Sequence, residues 1–224
     1  MQPTYLPWIG YFDLMDQSDT FVLLDHVQFS KHSWHQKNRI KTPNGELMLT
    51  VPIIRNHPQM INETKINNDQ PWRKTHLKSI QSSYSKAKYY DKYIGFLEDI
   101  YSRKIEKLAD LTIPIILWAK EELGIECKII KSSEINVAGS KVNLVVDICR
   151  KIGADEYLSP PGSKEYIDEN NIFEKENIKL EYQKYEHPEY SQLWGEFMPY
   201  MSVIDLLFNE GGKSLDIIRS GRKI

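Results

Sequence analysis

The chain has 224 residues, 41% apolar and 27% charged, with a formal net charge of −2. That is enough apolar surface for a real core, and the charge is too near zero for a global field that draws the protein to nucleic acid or anionic lipid. No run of 18 apolar residues is present, so no membrane-spanning helix is expected.

In chain order, Pro3 and Pro7 make the first residues a loop rather than regular structure, feeding a short helix over Gly10–Gln17. No basic stretch followed by a long apolar run opens the chain, so no signal peptide is expected and cytoplasm is the default. Thr20–Leu24 is β-branched and apolar and predicts a buried strand. A polar loop is expected over Asp25–Lys41, then a turn at Pro43-Asn44-Gly45 and a strand over Leu47–Ile54. Apolar residues at spacings of three and four predict two or three helices between residues 72 and 122, broken near Ala87–Asp91 and before Pro114. Pro114 is expected to open the last of them, and Gly124 to close it. Short strands follow at Cys127–Ile130, Glu156–Ser159 and Lys179–Tyr185, with helices over Asn143–Ile152 and Val203–Phe208. This alternation predicts an α/β fold: one mainly parallel sheet flanked by helices, with a helical subregion at 72–122 inside a single domain of residues 1–224. Cys127 and Cys149 sit in apolar stretches and read as small buried hydrophobes.

Four groups of residues are candidates for chemistry. The first is Asp25, Gln28, Lys31, His32, Trp34, His35, Asn38 and Arg39, just past a predicted strand. Ligands of open α/β sheets bind outside the carboxyl ends of strands. A carboxylate can orient or deprotonate an amine, and a guanidinium can hold phosphate. The second is the aromatic, proline-stiffened stretch Gln2–Phe12, with Gln2, Tyr5 and Tyr11 as ligand contacts. The third is Tyr157 to Lys164, a strand end passing into a Gly/Ser loop with a lysine and then a helix, whose first backbone N–H groups can receive an anion. The fourth joins Tyr190 and Gln192 to Asp205 and Asn209, which lie one helical turn apart. Each group also suits a structural role: a capped loop, an aromatic core, a plain turn or a polar brace. Nucleophile-elbow, zinc and dinucleotide motifs are absent, so no metal and no cofactor are expected.

Together these stretches resemble the WbqC-like protein family. The resemblance rests on QPTYLPWIGYF (Gln2–Phe12), SDTFVLLDHVQFSK (Ser18–Lys31), WHQKNRIK (Trp34–Lys41) and LTVPI (Leu49–Ile53). It continues through Trp72, His76 and Tyr84, GADEYLSPPGSKEYID (Gly153–Asp168), HPEYSQLWGEF (His187–Phe197) and MSVIDLLFNEG (Met201–Gly211). Members usually carry residues before the QP, so the resemblance leads one to expect a central strand that is missing here or supplied differently. His26 stands where an acid is common, and Lys37 where arginine is common. The resemblance implies acyl or aminoacyl transfer to the amine of a nucleotide-linked amino sugar, in bacterial surface-polysaccharide (O-antigen) biosynthesis. The donor would be a thioester on an acidic acyl carrier protein.

On that reading Asp25 is the base, Asn38 and Arg39 serve oxyanion or phosphate, and His76 is a further catalytic candidate. Gln2, Tyr5, Tyr11, Gln28, Lys31, Trp34, Ser159, Lys164, Tyr190, Gln192, Asp205 and Asn209 would line the substrate. The strand, proline-aromatic loop and helix also look like nucleotidylyltransferase sheets, but Leu6–Tyr11 lacks the histidines that chemistry needs. The rival reading is a non-catalytic sugar-nucleotide-binding accessory of the same pathway. A nucleic-acid module lacks both charge and signature. Residues 73–107 carry nine Lys/Arg against four acids, a face able to steer an acidic carrier.

Overall fold

A computed structural model describes residues 1–30, 33–56, 58–137, 139–164 and 171–223. The opening loop leads into α1 (Ile9–Asp16), followed by β1 (Thr20–Leu23). Next come β2 (Lys37–Thr42), β3 (Gly45–Thr50), β4 (Ile53–Ile54) and β5 (Lys65–Ile66). Three helices follow, α2 (Trp72–Tyr84), α3 (Tyr90–Ser102) and α4 (Leu108–Leu123). The remainder is β6 (Lys128–Lys131), α5 (Lys141–Ile152), β7 (Glu156–Ser159), α6 (Ile172–Lys175), β8 (Lys179–Tyr182), α7 (Val203–Glu210) and α8 (Ser214–Ser220). None of the described helices is long and apolar enough to cross a membrane.

The fold is mixed α/β, but one large parallel sheet is not formed. β1 pairs parallel with β6, and β7 parallel with β8, while β2–β3 and β4–β5 are antiparallel. The two parallel pairs are held apart by a groove of about 480 Å³, lined by Met1, Thr20, Phe21 and Val22 on one side and Glu156, Tyr157 and Leu158 on the other. Met1 takes one rung beside β1: its N–H donates to Val22 O, and Leu24 N–H donates to Met1 O, both at 2.8 Å.

Two further expectations are corrected. The loop expected over Asp25–Lys41 becomes strand from Lys37, in a hairpin whose two-residue turn is Pro43-Asn44. Asn38 and Ile40 point inward in this strand, and Lys41 is also buried. Two of its three buried residues are polar, and Ile40 and Lys41 are adjacent, which hides the period-two signal of a strand. The helix expected to open at Pro114 opens at Leu108 instead, with the proline inside. One lost hydrogen bond and a ring clash cost about 3 kcal/mol. Burial of Leu111, Ile113, Ile115 and Ile116, each worth about 1.5–3 kcal/mol, outweighs that cost. Gly124 and Gly153 close α4 and α5 in the left-handed region, at φ 73° and 70°.

Most buried apolar residues share one core, while Val146, Cys149, Phe173 and Ile178 form a smaller one beneath β7 and β8. Cys127 and Cys149 are buried free thiols. The opening loop is clamped from both sides. Leu6 sits at φ 48°, and its carbonyl accepts the Asn38 amide at 2.6 Å. Val203 N–H donates to Pro7 O at 2.8 Å. The Trp8 indole lies across Gly10, where an added Cβ would stand 2.2 Å from Cη2. Gly10→Ala should therefore expel the indole and cost about 1–3 kcal/mol. Denaturant melts would show the loss, and an unchanged midpoint would mean that Trp8 relocates freely.

Candidate functional site

Parallel strands β1 and β6 end side by side, and their ends carry a dense polar cluster. Asp25, 3% exposed, follows β1; Ser132 and Ser133 begin a short 3-10 turn directly after β6. The Asp25 carboxylate accepts three hydrogen bonds: Ser132 Oγ–H at 3.1 Å, Ser133 N–H at 2.9 Å and Ser133 Oγ–H at 2.6 Å. Its own N–H donates to Ser132 Oγ at 3.1 Å, and His26 Nδ1 lies 2.6 Å from the same oxygen. Nearby, Lys131 pairs with Glu134 at 2.7 Å. That hydrogen bond lifts the Lys131 ammonium above its ordinary range, with a smaller contribution from Asp25. Sequence reasoning missed Ser132 and Ser133, whose one signal was two hydroxyls at the end of a short apolar strand.

Gln2 joins a second histidine. His35 is buried, with Nδ1 accepting Ser30 N–H at 3.4 Å and Nε2 lying 3.2 Å from Gln2 Oε1. A backbone N–H can only donate, so the His35 proton sits on Nε2 and donates to Gln2. Burial pushes His35 down to about 4, which keeps it neutral at pH 7. Gln28 is exposed and bridges Met60 through its backbone. Lys31 and His32 lie outside the described residues.

The remaining members of the first group take other partners. Asn38 spends its amide on Leu6 O, and its Oδ1 accepts Arg39 N–H at 2.8 Å. Arg39 pairs with Glu46 at 2.9 Å and stacks its guanidinium over the Trp34 ring, 5.1 Å from the centroid. Trp34 is 42% exposed. Asn38 thus braces the opening loop, and Arg39 with Trp34 dresses the outer hairpin.

Tyr5 points into the core rather than toward a cleft. Its hydroxyl meets His76 Nδ1 at 2.8 Å and the Tyr101 hydroxyl, with Trp72 packed edge-on against both His76 and Tyr101. All four are buried, and burial pushes His76 down to about 4 against a weaker upward pull from a hydrogen bond to the Thr50 backbone. Tyr11 is also a core residue, edge-on to Phe12 and Phe21.

The fourth group does come together, turned inward. Asp205 is fully buried and accepts Tyr84 OH at 2.7 Å and Tyr190 OH at 3.0 Å. Burial raises its pKa; Tyr84, Tyr190, Gln192 and Lys41 pull the other way. Asn209 donates to Asp205 O at 2.7 Å, and Gln192 clamps both backbone groups of Met198 at about 3 Å. Lys41, also buried, donates its ammonium to Glu196 O at 2.5 Å and its N–H to Tyr84 OH at 3.0 Å. Above this brace, Trp8 stacks on His187 at 6.0 Å and contacts Tyr200, which is half exposed. In the third group, Ser159 is buried against Ser163, and Lys164 Nζ lies 5.7 Å from the Tyr182 ring. The helix expected after Lys164 falls outside the described residues.

The strand-end cluster is thus the described arrangement that gathers a carboxylate, hydroxyls and an imidazole at the ends of parallel strands. The WbqC-like protein family model matches residues 2–217. The chain is also 34% identical over 228 residues to the uncharacterized protein Rv1507c of Mycobacterium tuberculosis (strain ATCC 25618 / H37Rv), covering all of this chain and 97% of that relative. No solved structure matches. A family match over nearly the whole length, beside a relative similar from end to end, leaves one conclusion: the chain belongs to the WbqC-like protein family.

Proposed function

We propose that this single-domain chain is an acyl- or aminoacyltransferase acting on the amine of a nucleotide-linked amino sugar in bacterial surface-polysaccharide biosynthesis. The donor is an acyl thioester on a carrier protein. One observation carries the reading: carboxylate, hydroxyls and imidazole converge at Asp25, Ser132, Ser133 and His26, at the carboxyl ends of two parallel strands.

In the reaction, the neutral amine attacks the thioester carbon and a C–N bond forms. The ammonium of the tetrahedral intermediate passes a proton to a group of the cluster. Collapse breaks the C–S bond, and the leaving thiolate takes that proton, giving amide and free thiol. A positioned base contributes about 10²–10⁴-fold to such a step. The rival reading, a sugar-nucleotide-binding accessory, needs no such base. Incubation with acyl-carrier thioesters and a panel of nucleotide-linked amino sugars should release free thiol in step with amide. Tight sugar-nucleotide binding without thiol release would favour the accessory.

The basic helical face supports the carrier as donor. Lys78 and Lys86 are exposed on and just after α2. Reversing both to Glu should lower carrier-dependent turnover about tenfold at low salt, with the difference shrinking as salt rises. Equal turnover and equal salt response would remove carrier docking at this face.

A further inference from the structure

Ser132 Oγ meets three groups with one proton to give. Asp25 N–H can only donate and occupies one lone pair. The Asp25 carboxylate can only accept, so the Ser132 proton goes to Oδ1 at 3.1 Å. His26 Nδ1, 2.6 Å away, must then donate to the second lone pair of Ser132. The reverse arrangement, Ser132 donating to Nδ1, would leave two oxygen lone pairs facing each other at 3.1 Å with no proton between them.

We propose that His26 is the proton acceptor of this site, held with a protonated Nδ1 and a bare Nε2 by a relay running from Asp25 through Ser132. This assignment rests on the transfer reading above and changes its base, since every hydrogen bond to the Asp25 carboxylate comes from a serine. The relay does two things. It fixes the imidazole tautomer and orientation, and it sets a carboxylate behind the imidazolium that forms when Nε2 takes a proton. Other described histidines are placed differently. His35 and His76 are buried, and His187 Nε2 is sealed in the protein. His26 is half-buried and stands at the strand ends. Asp25 and Ser132 are positioning residues, and His26 is the group that would touch the substrate.

Long-range ¹H–¹⁵N NMR tests the relay without any substrate, the His26 signals being those lost in His26→Gln. The expected spectrum shows Nδ1 protonated and Nε2 bare. Ser132→Ala should move the ring toward the Nε2–H form, and Ser132→Thr, which keeps the hydroxyl, should restore the native tautomer. An Nε2–H ring in the native protein overturns the relay whatever becomes of the Ser132 variants. In the thiol-release assay, His26→Gln should lose about 10²-fold in kcat with acceptor KM nearly unchanged. Undiminished kcat overturns His26 as acceptor and leaves the transfer reading standing. No turnover by the native protein on any amino sugar overturns the transfer reading, and with it the role of His26 as base; the tautomer measurement still decides the relay.

Discussion

Asp25→Asn should lose both turnover, by about 10²-fold, and stability. The sequence alone offered Asp25 as the proton acceptor, with asparagine costing rate and leaving the fold intact. The structure changes that expectation. Both carboxylate oxygens are engaged, Oδ1 by Ser132 Oγ and Ser133 N, Oδ2 by Ser133 Oγ. An asparagine amide must set its NH₂ against one of these donors, in a pocket where Asp25 is 3% exposed. A buried donor left without an acceptor costs about 1–3 kcal/mol. The loss of rate follows from the loss of negative charge behind the relay. Calorimetric melts beside steady-state rates separate the two effects. Native rates in a destabilised variant would make Asp25 a cap for the turn after β6 and nothing more. Native rates with a native melt would remove it from both roles. His76, the further catalytic candidate, and Asp205 are poor replacements as base because both are buried and hydrogen-bonded to tyrosines.

Acid should destabilise this protein between pH 6.5 and 4, starting before its carboxylates as a class are protonated. Burial lowers His35 and His76 from 6.5 to about 4. Both are neutral in the folded chain, and both gain a proton below pH 6.5 once unfolded. Their contribution is fully present above 6.5 and is lost as pH falls toward 4. Each is worth roughly 3 kcal/mol across that window, at 1.36 kcal/mol per pKa unit. Two such losses rival the 5–15 kcal/mol stability of an ordinary domain. Asp205 acts in the opposite sense: its raised folded pKa favours the fold at low pH and disfavours it as pH rises through that value. Urea titrations at pH 7 and pH 4.5 measure the balance. His35→Gln should flatten the dependence by about half, and so should His76→Gln, which also loses the Tyr5 bond. Equal midpoints at the two pH values, left equal by His35→Gln and by His76→Gln, would mean that both rings are solvated.

Element type and place were legible in the sequence because they follow from local rules. Glu156–Ser159 was readable to the residue, and α1, β1, α5 and α7 to within about two residues at each end, from apolar spacing and β-branched runs. Gly124 and Gly153 marked helix ends because a left-handed cap costs glycine little. Motif content was legible too, since stretches such as Gln2–Phe12 carried the family on residue identity alone. Partnerships were not. Ser132 lies 107 residues from Asp25, and no periodicity connects them; they meet because β1 and β6 pair in one register, Leu23 beside Lys131. The inward turn of Asn38, Lys41 and Asp205 was equally invisible, since a polar side chain can be buried once donors from distant elements satisfy it. Local chemistry chose the elements. Long-range packing and hydrogen bonding decided that β1 and β7 stay apart, that Tyr5 and Tyr11 belong to the core, and that Asp25 ends against two serines.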